Sequence, residues 1–458
     1  MATNRRDFVK SAALTTGLAA APAVQLASGQ NSPGDRVNMG VIGFRGRGRD
    51  HYRTFAGMPG VRVAYLCDVD ERLFPPAIAE IEKIGGYKPQ AFFDIRKLLE
   101  QKDLDAVSIA TPDHWHALAT IWACQAGKDV YVEKPISHNL REGRRMVEAA
   151  RKYNRIVQAG LNMRSVARNL AGVRFVREAK FGPTYRAKAV VYRGRTSVGK
   201  VQESSIPAGV HWDLFLGPAP YRTFTLNRFH YGWHYFWDFS TTEIGNNGVH
   251  ALDVVRWALA KDVHPVKIHC YGGLYVDTTD QETPNVQVAS LEYADGTLVE
   301  VEATTLPSPS FGGVQMGSFY YTPQGYVTSA GNWSTVAGEF IPGSTPDPPS
   351  GVSLRASNLS FPKISYKPGP PIPDVEGQEV SHFQNFVDCV RSRKREQLKC
   401  EILEGHMSTA LCHLANVAFR TGRKLTFDPA TETFPGDAEA NRYLTRQYRE
   451  PYVVPDQV

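Results

Sequence analysis

Two domains in series are what the sequence predicts, the first an α/β unit doubly wound around a parallel sheet and the second a mixed unit whose longer strands pair as an antiparallel hairpin. Three observations carry this. Short apolar strands recur over the first 160 residues, each followed by a helical stretch; a glycine-rich turn follows the first strand; and longer alternating runs joined by a hairpin turn appear beyond residue 270. The organisation reads as a targeting segment over 1–30, a dinucleotide domain over 35–160, a second domain over 161–430 and a polar tail over 431–458.

The 458 residues are enough for two full cores, and 42% hydrophobic content is that of an ordinary globular chain. A net charge of +6 without basic clusters interleaved with aromatics argues against a nucleic-acid partner. Six cysteines show no CxxC and no metal-ligand spacing with histidine, so no metal is expected. Asn4-Arg5-Arg6-Asp7-Phe8, followed by the small apolar run from Ala12 to Ala27, has the order of a twin-arginine export signal, which predicts a periplasmic or secreted protein. That run is broken by Pro22 and too weakly hydrophobic for a stable membrane anchor. Twin-arginine export carries folded proteins, which predicts a tightly bound cofactor.

Taken in order, Val37 to Gly43 is a buried strand, and Gly43-Phe44-Arg45-Gly46-Arg47-Gly48 leads into a helix. Gly43 and Gly48 fit the tight-turn and close-packing places of a dinucleotide fingerprint, with Arg45 in the second place and Gly46 giving clearance beside it. The arginines add positive charge beside a pyrophosphate resting on a helix N-terminus. Val61 to Cys67 is a second strand ending in Asp68, 25 residues after Gly43. An acid there accepts from the adenosine ribose hydroxyls and repels a 2′-phosphate, favouring NAD over NADP.

Ala106 to Thr111 is a further strand, with Pro112 opening a helix, so that Asp113, His114 and His116 face the cleft. Asp129 to Pro135 is the next strand, presenting Glu133 and Lys134 at the sheet's carboxyl edge, where open parallel sheets bind ligands. A cis bond before Pro135 would turn Lys134 into the cleft. A helix over 141–153 and a strand over 156–160 complete this sheet.

In this order and spacing, Gly43 to Gly48, Asp68, Thr111-Pro112-Asp113-His114-Trp115-His116 and Glu133-Lys134-Pro135 resemble the Gfo/Idh/MocA family of glucose-fructose oxidoreductases and inositol dehydrogenases. The resemblance implies a Rossmann domain that holds NAD(P), an α+β second domain whose large, mostly antiparallel open sheet carries substrate on one face and often an oligomer interface on the other, and a lysine, here Lys134, touching the substrate hydroxyl and nicotinamide ribose. The candidate cofactor set is Gly43, Phe44, Arg45, Gly46, Gly48, Asp68, Thr111, Pro112, His114, His116, Glu133 and Lys134.

In the second domain, Trp212 to Ala219 reads as a turn into an aromatic loop, and Asn227 to Asp238 is dense in rings and histidines, a composition that grips sugar faces. Glu243 to Trp257 enters a helix on which 246, 250 and 253 share a face. The resemblance implies an Asp four residues before a His as an acid/base pair. That Asp is Asn246 here, and an amide takes no proton, which moves the base role to His250, Lys134 or His234. Asp253 either orients His250 or packs the helix. Arg164, Tyr231, His234 and Asp253 form the candidate substrate-binding set. Strands over 285–293 and 297–304 flank an Ala294-Asp295-Gly296 turn, a proline-rich excursion spans 342–373, and helices over 382–393 and 402–420 return to cover the sheet.

These residues, with the resemblance, predict an oxidoreductase acting on a secondary alcohol of a sugar or polyol, and the resemblance implies a homo-oligomer through the second sheet. Scarce nucleotide outside the cytoplasm favours one that is retained and recycled. The alternatives are an NAD-dependent glycosidase, lyase or epimerase working by transient oxidation, and a non-catalytic sugar-binding protein.

Overall fold

Apolar runs flanked by glycine and proline become the buried strands of the first domain. β1 (Val37–Ile42), β2 (Val61–Cys67), β3 (Gln90–Phe92), β4 (Ala106–Ile109), β5 (Asp129–Val132) and β6 (Val157–Ala159) form one parallel sheet in the order β3-β2-β1-β4-β5-β6. The computed structural model of the protein describes residues 36–276, 278–329, 331–336, 366–373 and 381–458, and residues 37–458 form one compact unit. The segment that the sequence predicts to be an export signal, and with it the expectation on a membrane anchor, lies outside the described residues. Among the described residues no helix is long and apolar enough to cross a membrane.

Helices α1 (Arg47–Ala56), α2 (Phe74–Gly85), α3 (Ile95–Leu99), α4 (Asp113–Gln125) and α5 (Leu140–Lys152) connect the parallel strands. Their ends follow local chemistry. Asn139 caps α5, its side chain accepting from the Glu142 N–H at 3.0 Å, and α2 starts with prolines and ends on Gly86 at φ 74°. The short strand β3 is unexpected, because three partly exposed residues leave no periodic signal.

The second domain holds α6 (Ala167–Arg177), β7 (Arg186–Tyr192), α7 (Trp212–Leu216), α8 (Val249–Ala258), β8 (Lys267–Gly273), β9 (Val286–Glu292) and β10 (Leu298–Thr304). It continues through β11 (Met316–Thr322), β12 (Gly325–Thr328), β13 (Trp333–Val336), β14 (Tyr366–Pro368), α9 (His382–Ser392), α10 (Ile402–Thr421), β15 (Leu425–Thr426) and α11 (Ala438–Arg442). Among the described residues its nine strands run β14-β13-β12-β11-β7-β10-β9-β8-β15, antiparallel except for the β7–β10 pair. The β9–β10 hairpin turns at Gly296, whose φ of 84° needs glycine.

Three expectations change. Most of the proline-rich excursion lies outside the described residues, but its end supplies β14, an edge strand of the sheet. Of the two returning helices, α10 covers β8 and also packs on α5 of the first domain, while α9 leaves the second sheet and inserts Phe383, Phe386 and Val387 into the first domain's core beside Phe55 and Tyr131. The segment from 431 onward is not a loose tail, since Phe434, Leu444, Tyr452 and Val454 are buried in the main core.

Candidate functional site

A cavity of about 610 Å³ opens at the carboxyl edge of the parallel sheet and runs to the second domain. Its floor begins at Gly43, whose φ is 73° and where a Cβ would lie 2.8 Å from the Ala110 carbonyl oxygen. A Cβ at Gly48 would lie 1.9 Å from the Gly43 carbonyl oxygen, so α1 approaches β1 only with glycine at both places. Gly46 leaves open space where a side chain would project. Asp68 faces the cavity from the end of β2, accepting from the Phe44 and Asp70 N–H groups at 3.0 and 3.1 Å, and burial pushes its carboxyl up to about 6. This cradle of glycines, helix N-terminus and ribose-height acid fits a dinucleotide. The Thr111 hydroxyl, buried without a partner, leaves one more polar atom there for a ligand.

A segment of the second domain closes the rim. The Glu71 N–H donates to the Gly209 carbonyl at 2.8 Å, the His211 N–H donates to the Val69 carbonyl at 2.8 Å, and His211 stacks on Phe93 with ring centres 4.1 Å apart. His230 reaches Asp70 at 3.1 Å.

At the centre, the peptide bond between Lys134 and Pro135 is cis. Lys134 Nζ donates to the Asn246 carbonyl oxygen at 2.7 Å and to its Oδ1 at 3.0 Å, joining the two domains. The acceptor carbonyl comes from a π turn over Ile244–Gly248 that runs into α8. Burial lowers the Lys134 pKa against the raising effect of Glu133, Asp113 and Glu243. His250 lies on the same wall with Nδ1 buried and unpartnered, and burial together with Lys134 pushes it down to about 3. His234 is also pushed down to about 3 by burial, with Nδ1 held on the Tyr231 carbonyl at 2.8 Å.

Behind Lys134, Glu133 Oε1 accepts from Arg47 Nε and faces His51 Nε2, each at 3.0 Å, and His51 Nδ1 meets Ser108 Oγ at 2.7 Å. Burial lowers the His51 pKa, so the permanent charge that keeps Glu133 ionised is Arg47. His116 braces the turn, its ring nitrogens 2.7 and 2.8 Å from the Pro135 and Thr111 carbonyls. Asp113 accepts from the Thr241 N–H and hydroxyl at 3.1 and 2.8 Å, and burial pushes it up to about 7.

Of the residues selected from sequence, Gly43, Arg45, Gly46, Asp68, Thr111, Pro112, His116, Glu133, Lys134, Tyr231, His234, Asn246 and His250 line this cavity. Five do not. Phe44 turns its ring into the core against Phe74 and offers only its N–H to Asp68, and Gly48 acts through helix packing. His114 points away from the cleft, Nε2 on the Phe215 carbonyl at 2.9 Å. Arg164 and Asp253 belong to each other. Arg164 donates to Asp253 through Nε and Nη2 at 2.9 and 2.7 Å, with buried Ser408 and half-buried Glu404 completing the network. Asp253 therefore neither orients His250 nor reaches the cavity, because the π turn and this ion pair face it inward.

The aromatic loop also divides. Trp212, Phe224, Phe236 and Phe239 pack in a small core of their own, Phe215 and Phe229 belong to that core and also line the cavity, and Tyr231 and Trp233 reach the cavity wall. Three residues carry roles that no local pattern shows: Arg193 and Arg195, which line the cavity, and Glu243, three residues before Asn246, which accepts from Arg195; Arg47 of the glycine-rich turn lines the cavity and also donates to Glu133. A separate group, His264, His406 and Glu432, brings two ring nitrogens within 2.8 and 2.9 Å of Glu432 Oε1. Arg144 donates to both oxygens of that carboxylate at 2.6 and 3.0 Å, so a cation already balances it.

Residues 37–161 match the model of the oxidoreductase family with NAD-binding Rossmann fold, Gfo/Idh/MocA, and residues 184–307 with 355–454 match the same family's C-terminal alpha/beta domain. Among curated proteins, a glycosyl hydrolase family 109 protein of Shewanella pealeana is 30% identical over 212 residues, covering 41% of this chain and 46% of that protein. An alpha-N-acetylgalactosaminidase of Shewanella oneidensis is 28% identical over 207 residues, covering 41% and 45%. The chain thus spans under half the length of the curated relatives it matches. Among solved structures, the WlbA dehydrogenase from Bordetella pertussis in complex with NADH and UDP-GlcNAcA has a TM-score of 0.60 at 19% identity, covering 86% of this chain and 98% of that one. The aldose-aldose oxidoreductase from Caulobacter crescentus scores 0.59 at 15% identity, covering 86% and 100%. These likenesses are of fold, whereas the family models cover most of the sequence: the chain belongs to the Gfo/Idh/MocA oxidoreductase family.

Proposed function

We propose that the protein is an NAD-dependent oxidoreductase acting on a secondary alcohol of a sugar or sugar-like polyol. The observation that carries this is the meeting of Lys134 and His250, distant in sequence, on one cavity whose other end is the Gly43–Asp68 cradle. NAD, when bound in that cradle, supplies the hydride acceptor. Burial lowers the Lys134 pKa, which eases loss of its proton so that the amine can take the hydroxyl proton; the imidazole of His250, its Nδ1 unpartnered, is the second acceptor. Tyr231 and Trp233 offer ring surface to a sugar, and Asp68 accepts from ribose hydroxyls.

The 209–211 crossing over the adenosine rim supports a nucleotide that is retained between turnovers. Retention suits the export signal in the sequence and a redox-neutral reaction. A second reading, a glycosidase or epimerase that oxidises transiently and returns the hydride, is favoured by Asn246 and by the glycosyl hydrolase family 109 relatives. The outer face of the second sheet, with Tyr271 exposed and cross-strand pairs such as Lys188–Glu302 at 2.6 Å, is the surface for a homo-oligomer.

Incubation with a panel of sugars and glycosides, without added nucleotide, separates the readings. Paired oxidation and reduction supports the oxidoreductase, and released aglycone supports the glycosidase. Neither product, together with no nucleotide in the purified protein by mass spectrometry, leaves the sugar-binding alternative.

A further inference from the structure

Lys134 is not held by a carboxylate. Its ammonium rests on an amide, Asn246, and behind that amide stands a carboxylate that no part of the proposed reaction uses. Asn246 Nδ2 donates to Glu243 Oε2 at 3.4 Å, and Asn247 Nδ2 donates to Glu243 Oε1. Glu243 is buried and clamped by Arg195, which donates through Nε to Oε2 at 3.0 Å and through Nη2 to Oε1 at 3.2 Å. Arg195 in turn donates to the Tyr231 hydroxyl.

The orientation of the Asn246 amide follows from its two neighbours. An ammonium on one side needs an acceptor and a carboxylate on the other needs a donor, so Oδ1 faces Lys134 and Nδ2 faces Glu243. The reversed amide would set NH₂ against NH₃⁺ and oxygen against carboxylate, losing both contacts at once.

We propose that Glu243, anchored by Arg195, is a positioning residue for Lys134, holding the Asn246 carboxamide with its oxygen on the ammonium and supplying at one remove the negative charge that an aspartate at 246 would place directly on it. This rests on the proposed function only in giving the lysine a proton to move; the linkage itself is a property of the resting protein.

Other charges face the same ammonium. They are Glu133 at the end of β5, Arg47 on α1, Asp113 and His116 on α4, His250 on α8 and His234 in the aromatic loop. Glu133 is already balanced by Arg47, so removing the Glu243 charge leaves Arg195 as an uncompensated buried cation near Lys134. The neutral amine is then favoured and Lys134 titrates at lower pH.

The test is acetylation of the full-length protein with acetic anhydride across pH, following the Lys134 peptide by mass spectrometry, since only the neutral amine reacts. Glu243→Gln is expected to move the midpoint down by about 1 pH unit. Arg195→Gln, which frees the carboxylate and serves if Glu243→Gln does not fold, is expected to move it up. The Glu243→Gln/Arg195→Gln pair should return it close to the starting value, and Asn246→Asp should raise it. A midpoint unmoved in both single variants overturns the proposal. A moved midpoint in a protein whose Lys134→Ala variant turns over normally leaves the linkage standing and removes the proposed function instead.

Discussion

Lys134 with His250, and Arg164 with Asp253, are both charged or titratable pairs near the domain junction, and their sequence signals are alike. The structure separates them by what each group has left to do. Arg164 and Asp253 satisfy one another through short hydrogen bonds, with Ser408 and Glu404 filling the remaining positions, and neither lines the cavity. Lys134 is held on one side by Asn246 and faces the cavity on the other, and His250 has a ring nitrogen with no partner. Burial of charge therefore does not by itself mark a site; an unsatisfied donor or acceptor facing a cavity does.

The comparison breaks most decisively at Lys134. Lys134→Ala is expected to cut turnover by about 10²–10⁴-fold while leaving bound nucleotide in place. Steady-state rates on whichever sugar of the panel is active, beside nucleotide content by mass spectrometry, check both halves. The mirror-image experiment is Asp253→Ala, which leaves buried Arg164 with only Glu404, a carboxylate shared with Arg256, as its anionic partner. It should lower stability by about 3–5 kcal/mol with the Lys134 titration little changed, read from the denaturation midpoint.

A smaller effect is expected at the cofactor end. Asp68→Ala removes the acceptor at ribose height and should weaken NAD by about 1.5–3 kcal/mol, measured calorimetrically on nucleotide-stripped protein. Smallest is a slope in stability with pH. Asp113, pushed up to about 7 by burial, keeps its proton in the folded state after the unfolded chain has lost it near 3.8. Its contribution is therefore fully present below about pH 4 and declines as pH rises toward 7, at no more than about 1.4 kcal/mol per pH unit. Asp113→Asn should flatten that part of the nucleotide-free protein's stability profile, and an unchanged slope would assign it to other carboxylates such as Asp68.

Much of the cofactor end was legible because its chemistry is local. The Gly43–Gly48 turn, Asp68 and Glu133-Lys134-Pro135 each sit at the end of a short apolar strand, where strand length and turn residues fix the side chain's place. The failures share a cause too. Phe44 and His114 are neighbours of true lining residues, and one position along a turn or a helix is enough to send a side chain into the core. Ring composition in the aromatic loop does not distinguish rings that only pack on each other from rings that also face the cavity.

By itself the sequence determined the parallel-sheet domain, the antiparallel hairpin at Gly296, the acid after β2 and the lysine before the proline, since each depends on contacts within a few residues or on strand periodicity. Only the tertiary structure decided that Lys134 meets Asn246 from 112 positions away, that Asp253 belongs to Arg164 from 89 positions away, and that the last residues of the chain are core. Those pairings are settled by which buried groups can satisfy one another once two sheets and the helix α10 between them are packed, and no local pattern encodes that competition.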